Sequence, residues 1–584
     1  MNEILFDIET DGLESSVIWC LVAQEIETGQ VWSFGPDKIE RGVQLLNRAT
    51  QLSGHNIIGF DIPVLEKLTS FKLGDQEIID TLVFSRLFNP VREGGHSLAV
   101  WGGKLGYSKI EFEDFDKFSE RMLDYCKRDV ALNVKVYKAL QKEGAGFSRD
   151  SMRLELETAK ILKDQEQHGF YFDEYKANML LAQMREKMCE TEAEVAKVFK
   201  PKIDERLIFR KEKKNGEVSK QGAWDNPSGK GVRLSDEEYE YLSDPCNFKT
   251  TRSTVVDFNI GSRKQIGEYL LEFGWKPEEF TVNGRPVVNE KTLSQITDIP
   301  QAELIKDFLM YQKREAQIKS WLEAIKDDSR VHGFVIPNGT ITGRMTHREP
   351  NMAQVPSLSS PYGAECRRCW SVPNGYSLVG IDASGLELRM LAHYMEDKEY
   401  TNEIINGDIH TTNQKLAGLE SRSQAKTFIY ALLYGAGDEK LGTVSGGGRE
   451  VGSRLRKSFF DNLPSFTDLK NKVSRAASRG YLKGLDGRKL FVRSEHSALN
   501  TLLQGAGAIV MKKALVIFNE YIEDMDAHFV CNVHDEWQVE VESSLADEVG
   551  MLGVKAIREA GEYFNLNCPL DGEYNVGSNW AETH

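Results

Sequence analysis

The chain has 584 residues, of which 40 % are hydrophobic and 28 % charged, with a formal net charge of −16. That length exceeds what one hydrophobic core supports and predicts three or four domains, and the composition is globular, which excludes disordered, fibrous and disulfide-scaffold classes. The eight cysteines are scattered, so free thiols in a reducing compartment are expected, and Cys366 and Cys369, a lone CxxC, read as ordinary thiols.

No apolar run reads as long enough to span a bilayer, and Glu3, Asp7 and Glu9 spoil the N-terminus as a signal peptide; the expectation is a cytoplasmic protein with no membrane partner. The negative charge argues against a polyanionic partner, but its distribution does not. Residues 421–493 carry 15 Lys and Arg against 6 Asp and Glu, a local cationic surface suited to a nucleic acid.

Taken in chain order, Ile4 to Thr10 reads as a strand on which Asp7 and Glu9 share one face and Phe6 and Ile8 the other. Paired acids on a buried strand call for a metal. Asp61, after His55-Asn56-Ile57-Ile58-Gly59-Phe60, adds a third acid, and Tyr125 and Asp129 lie one turn apart on a helix predicted over Met122 to Leu140. Four acids and a phenol supply ligands for two ions and a hydroxyl to orient water. Asp80 reads as structural.

Helices are predicted over Met152 to Gln167, Tyr175 to Phe199, Ser262 to Gly274 and Ser294 to Lys326. Between Pro201 and Val256 the periodicity disappears, and the segment reads as a polar insertion with a hairpin turn at Asn215-Gly216. Thr342-Gly343-Arg344 lies in a polar loop suited to nucleic-acid contacts.

Tyr376 to Ile381 predicts a buried strand ending at Asp382, before an amphipathic run from Leu386 to Met395. His528 to Glu542 predicts a hairpin with His534-Asp535-Glu536 at its tip. If the two are neighbours, Asp382 and Asp535 meet and form a site for hard divalent cations, the arrangement of in-line phosphoryl transfer. Between them, Arg422, Lys426, Tyr430 and Tyr434 recur every four residues along one helical face, two cations followed by two phenols, and Gly435 closes the helix.

These motifs resemble two sets. Asp7-x-Glu9, Asn56-x-x-x-Phe60-Asp61 and Tyr125-x-x-x-Asp129 are similar to the DEDDy 3′→5′ exonucleases. Asp382-x-Ser384-x-x-Glu387-Leu388-Arg389, Arg422-x-x-x-Lys426-x-x-x-Tyr430-x-x-x-Tyr434-Gly435 and His534-Asp535-Glu536 resemble motifs A, B and C of family A DNA polymerases, in wording closest to those of T-odd bacteriophages.

The resemblance implies an α/β multidomain fold: an RNase H-like exonuclease at residues 1–148, then a right-hand polymerase. Its parts would be a thumb at 149–330 with the insertion at 201–256, a palm at 331–408 and 491–584, and fingers at 409–490. It implies a replicative DNA-directed DNA polymerase with proofreading, taking primer-template DNA and dNTPs. The competing readings are a single-subunit RNA polymerase, against which Glu387 and the exonuclease motifs speak, and a DNA-binding protein with only the nuclease active.

Two Mg²⁺ ions per active site, replaceable by Mn²⁺, would be held by Asp382, Asp535 and the carbonyl of Ala383, and in the nuclease by Asp7, Glu9, Asp61 and Asp129. His410, Arg422 and Lys426 would meet the triphosphate, with Lys426 placed to protonate pyrophosphate. Glu387 would exclude ribonucleotides, Tyr430 would sense the sugar 3′ position, and Arg344, Gln504, His534 and Tyr434 would touch DNA. The resemblance also raises a thioredoxin-like processivity factor and a phage helicase-primase as partners. Residues 201–256 are shorter and differently composed than the insertion that grips thioredoxin, which leaves that partner open.

Overall fold

Leu5 and Phe6 point to opposite sides of the first strand, and both are fully buried. β1 (Glu3–Thr10) therefore sits in the middle of a sheet rather than at its edge. With β2 (Ile18–Glu25), β3 (Val31–Phe34), β4 (Gln51–Gly54) and β5 (Glu77–Asp80) it forms a five-stranded sheet in the order β3-β2-β1-β4-β5. β2 runs antiparallel to β1, whereas β4 and β5 run parallel. Ile4, Phe6 and Ile8 pack into one core, while Leu5 packs with Met122, Cys126 and Val130 of the Glu120–Glu143 helix. The face of β1 that carries Asp7 and Glu9 is thereby covered by the helix that carries Tyr125 and Asp129.

The structure, a computed structural model, describes residues 2–584. It divides into two units, one built from the residues up to Glu174 together with Ala324–His584, the other from Tyr175–Glu323. The Arg149–His168 helix, expected to open the thumb, belongs to the first unit. The reason is electrostatic as well as apolar: Glu155, fully buried on that helix, pairs with Arg488 and with Lys512 of the Ala498–Ile522 helix, each at 2.5 Å.

The second sheet of the first unit orders its strands Ala527–Val533, Glu536–Glu542, Tyr376–Ala383 and Gly572–Gly577, all antiparallel. Gly380, on the central Tyr376–Ala383 strand, is needed for close approach, since a Cβ there would lie 2.1 Å from the carbonyl oxygen of Thr583 near the C-terminus. The Ala498–Ile522 helix corrects the expectation about bilayer-length segments. By length and composition Glu495–Ile522 is apolar enough to cross one, but 78 % of its most apolar window is buried inside the protein.

In the second unit, Phe199, Ile266, Leu270, Ile305 and Phe308 gather into one core between helices. The polar insertion, where helical periodicity is lost, is a folded element. Its antiparallel sheet orders Lys249–Val256, Lys202–Phe209, Gln221–Trp224 and Gly231–Arg233 over Ile208, Leu234 and Leu242. Arg206 and Arg252 pack on Trp224 at 4.4 and 5.3 Å from the ring centre. Charged stems covering an aromatic ring are a small-sheet core that hydropathy does not register. Asn215-Gly216 does make the turn, with Gly216 at a φ of 84°. Six of the eight cysteines are buried, and the two exposed ones, Cys189 and Cys246, both lie in this unit.

Candidate active site

Asp382 stands opposite Glu536 on one side and Glu573 on the other, one residue before its strand ends. The neighbouring hairpin turns through His534 and Asp535. A left-handed φ of 58° at His534 permits the tight connection. The Tyr376–Ala383 and Glu536–Glu542 strands are neighbours, and the N–H of Ala383 donates to the carbonyl of Asp535 at 3.1 Å, so the two aspartates are brought together. Burial, and then the charges of Asp535 and Glu536, push Asp382 up to about 7, and burial raises Asp535. Carboxylates crowded out of water in this way gain by holding a cation.

Glu536 has a different job. Burial would raise its pKa, but His584 at 2.7 Å, Trp580 Nε1 at 2.6 Å and Arg367 hold it ionised and below the usual glutamate value. It fastens the C-terminal residues to the hairpin.

The Arg422–Leu433 helix begins with a capping box from Ser421 to Gln424. Ala425, Phe428, Ile429, Leu432 and Leu433 are buried, while Arg422, Lys426 and Tyr434 are exposed and Tyr430 is half-buried. The predicted stripe thus lies on the open face. Gly435 at a φ of 78° and the Ala436 N–H to Ala431 carbonyl bond at 2.9 Å end the helix in a Schellman motif. The His410 and Tyr430 rings are 6.4 Å apart, and burial together with Arg422 and Lys426 keeps the His410 imidazole below its ordinary pKa.

Glu387 is held from two sides. Arg344 reaches it at 2.9 Å and the Tyr434 hydroxyl donates to both of its oxygens at 2.8 Å. Arg344, His534 and Asp535 line a cavity of about 30 Å³ with Ala508 of the Ala498–Ile522 helix. Gln504 does not line it; it sits half-buried one turn before Ala508 on the same helix.

The second acid cluster lies under the Glu120–Glu143 helix. Asp7, Glu9 and Cys126 offer ligand atoms that all lie within 4.8 Å of one another. Asp61 accepts from the Ile8 N–H at 3.1 Å, and the carboxylate of Asp7 raises its pKa further beyond what burial does. Burial and Asp129 push Asp7 up to about 7, and burial and Asp7 push Glu9 up to about 10. Oδ1 of the buried Asp129 has no hydrogen-bond partner. This donor set suits hard divalent cations. Asp80 is structural: it caps the Thr81–Phe88 helix and accepts from the N–H groups of Asn56 and Ile58.

Residues 237–582 match the family described as DNA polymerase family A. The chain belongs to that family. Over its full length, and theirs, it is 33 % identical to the DNA-directed DNA polymerase of Escherichia phage T7 and 32 % identical to that of Enterobacteria phage T3. A solved structure described as the POL domain of Pol1 from M. smegmatis, in complex with DNA primer-template and dNTP, shares the fold at a TM-score of 0.78 and 17 % identity, covering 99 % of this chain and 95 % of that one. The chain is a DNA-directed DNA polymerase.

Two contacts in this family A polymerase escaped the sequence reading. Asp408 caps the Ile409–Ala417 helix and also accepts from Arg422 Nε at 2.7 Å, which ties the first cation of the stripe to His410's own helix. An Asp directly before a helical pattern was the available signal. Lys109, whose ammonium lies 2.5 Å from Asp129, belongs to no motif and left no periodic trace.

Proposed function

We propose that this DNA-directed DNA polymerase extends a primer on a DNA template at the Asp382 and Asp535 site and removes misplaced 3′ nucleotides at the Asp7 cluster. The observation that carries the reading is the strand-end Asp382 set beside Asp535 of the adjacent turn by the hydrogen bond from the N–H of the next residue, Ala383, to the Asp535 carbonyl, near an open helical face of two cations and two phenols. Two divalent ions, Mg²⁺ with Mn²⁺ as a substitute, would supply the charge that activates the primer 3′-oxygen and stabilises the leaving group. Asp382, Asp535 and the Ala383 carbonyl would hold them. Arg422, Lys426 and His410 would neutralise the triphosphate, and Lys426, exposed on its helix, would give a proton to pyrophosphate. Glu387 keeps a fixed position through Arg344 and Tyr434 and would leave no room for a 2′-hydroxyl.

In the nuclease, Asp7, Glu9, Asp61 and Asp129 would hold the ions and Tyr125 would orient the attacking water. The antiparallel β2 within an otherwise parallel sheet is the arrangement expected of an RNase H-like domain. The reading divides the chain into an exonuclease at 1–148, a thumb at 175–323, a palm at 331–408 with 491–584, and fingers at 409–490. Its place of action would be the cytoplasm of an infected bacterial cell.

The test is a labelled primer-template incubated with Mg²⁺, with and without dNTPs, using the wild-type chain and Asp7→Ala with Glu9→Ala. Wild type degrades the primer without dNTPs and extends it with them, and the double variant only extends. Degradation persisting in the double variant would sink the assignment of the second cluster.

A further inference from the structure

Lys109 follows the Leu98–Lys104 helix, outside all three acidic motifs, yet its ammonium enters the nuclease cluster. Nζ is 2.5 Å from Asp129 Oδ2 and 4.8 Å from the centre of the Tyr125 ring, and the side chain is 27 % exposed. Its backbone is not a free loop. Arg128, the residue before Asp129, donates from Nε to the Ser108 carbonyl at 2.9 Å and stacks on Tyr107 at 3.3 Å, and the Tyr107 N–H bonds to the Gly102 carbonyl at 2.9 Å. The segment carrying Lys109 is thus fastened to the helix that carries Tyr125 and Asp129.

Charge counting says what such a cation is for. Asp7, Glu9, Asp61 and Asp129 bring four negative charges, which two divalent ions balance. A phosphodiester then arrives with one further negative charge, and its pentacoordinate transition state carries more. Nothing in the three motifs compensates it.

Resting on the nuclease reading above, we propose that Lys109 is a further catalytic residue of that site, whose ammonium, set between Tyr125 and Asp129, meets a non-bridging oxygen of the scissile phosphodiester. In the reaction a water oxygen bonds to phosphorus and the bond from phosphorus to the penultimate 3′-oxygen breaks. One water proton ends on that 3′-oxygen, the other leaves with the nucleoside 5′-monophosphate, and Lys109 keeps its own proton throughout. Its contribution is electrostatic stabilisation by a donor fixed in advance, which is worth about 100-fold in rate at comparable sites.

The experiment is single-turnover degradation of a 5′-labelled single-stranded oligonucleotide in Mg²⁺ without dNTPs, by wild type, Lys109→Met and Lys109→Arg, with primer extension as the check on folding. Lys109→Met loses about 100-fold in maximal rate with oligonucleotide affinity within about twofold, Lys109→Arg recovers most of the loss, and extension is unchanged. Equal rates for wild type and Lys109→Met overturn the proposal. So do equal losses in the Met and Arg variants, or a loss confined to affinity.

A readout without turnover uses Mn²⁺ alone, followed by electron paramagnetic resonance in an Asp382→Ala background. Removing a like charge from the cluster makes Lys109→Met bind Mn²⁺ several-fold more tightly, and unchanged or weaker binding overturns the role. A wild-type chain that leaves the oligonucleotide intact defeats the nuclease reading itself, whereas degradation by wild type that Lys109→Met matches defeats Lys109 alone.

Discussion

Ala383 donates its backbone N–H to the carbonyl of Asp535 at 3.1 Å, which fastens the end of one strand to the turn of the next. The hydrogen bond uses main-chain atoms, so it survives replacement of either aspartate side chain. Asp382→Ala and Asp535→Ala are therefore expected to fold, and to lose primer extension by about three orders of magnitude or more, the several kcal/mol that metal-borne charge contributes. Extension rates in Mg²⁺ alongside melting curves check this. Either variant extending like wild type would refute the assignment.

The crowded carboxylates make stability depend on pH in a particular direction. Asp382 and Asp7 are each pushed up to about 7 in the folded chain, while in the unfolded chain each titrates near 3.8. Between those values these two groups bind more protons in the folded chain, so their contribution to stability is greatest below about 4 and falls as pH rises to 7, opposite in sign to that of the carboxylates whose values are lowered, such as Glu540. In EDTA, Asp382→Asn with Asp7→Asn should therefore gain melting temperature relative to wild type as pH rises from 4 to 7, and Mg²⁺ should remove that advantage at pH 7. A difference between variant and wild type that stays flat from pH 4 to 7 without metal would contradict the origin given for the shifts.

Tyr430 lies half-buried beside the His410 ring, on the helical face that also carries Lys426. If its hydroxyl stands in for a missing sugar 3′-hydroxyl, the wild-type chain accepts dideoxynucleotides readily. Tyr430→Phe is then expected to discriminate against them by about 100-fold or more, since a polar partner is lost at that position. Competing ddNTP and dNTP incorporation measures it, and equal discrimination in both proteins would reject the role.

Glu155 is fully buried, with Arg488 and Lys512 each at 2.5 Å, and Asp486 on the far side of Arg488. Burial already pushes Lys512 down to about 8. Glu155→Ala strands Lys512 in the core, leaves Arg488 with Asp486 alone, and is expected to cost about 3–5 kcal/mol. The denaturant midpoint should fall with the slope unchanged, and a loss under about 1 kcal/mol would show that the cluster is not held as described.

What was legible in the sequence follows from which signals are local. Asp7 and Glu9 on one strand, Tyr125 and Asp129 on one helix, and the stripe from Arg422 to Tyr434 all rest on period-2 or period-4 spacing, and each lies on the face that spacing gave it. The hairpin around Asp535 was readable because Val539 and Val541 alternate with polar neighbours. The insertion was not, because Trp224 is covered by Arg206 and Arg252, whose charges look like solvent-facing positions in a hydropathy pattern. The contacts of the Arg149–His168 helix are not legible for a related reason. Glu155 reads as a surface residue until Arg488 and Lys512, more than three hundred residues away in sequence, arrive to pair with it. Lys109 left no trace because its partners come from a different segment.

The burial of six cysteines leaves a practical opening. Maleimide chemistry needs an accessible thiolate, so a fluorophore offered to the native protein should attach at Cys189 and Cys246 and spare the catalytic unit. With one of the two changed to serine, the otherwise native chain becomes a singly labelled reporter whose dye rides on the Tyr175–Glu323 unit alone. Movement of that unit during synthesis could then be followed against a dye on the DNA, without building a cysteine-free background.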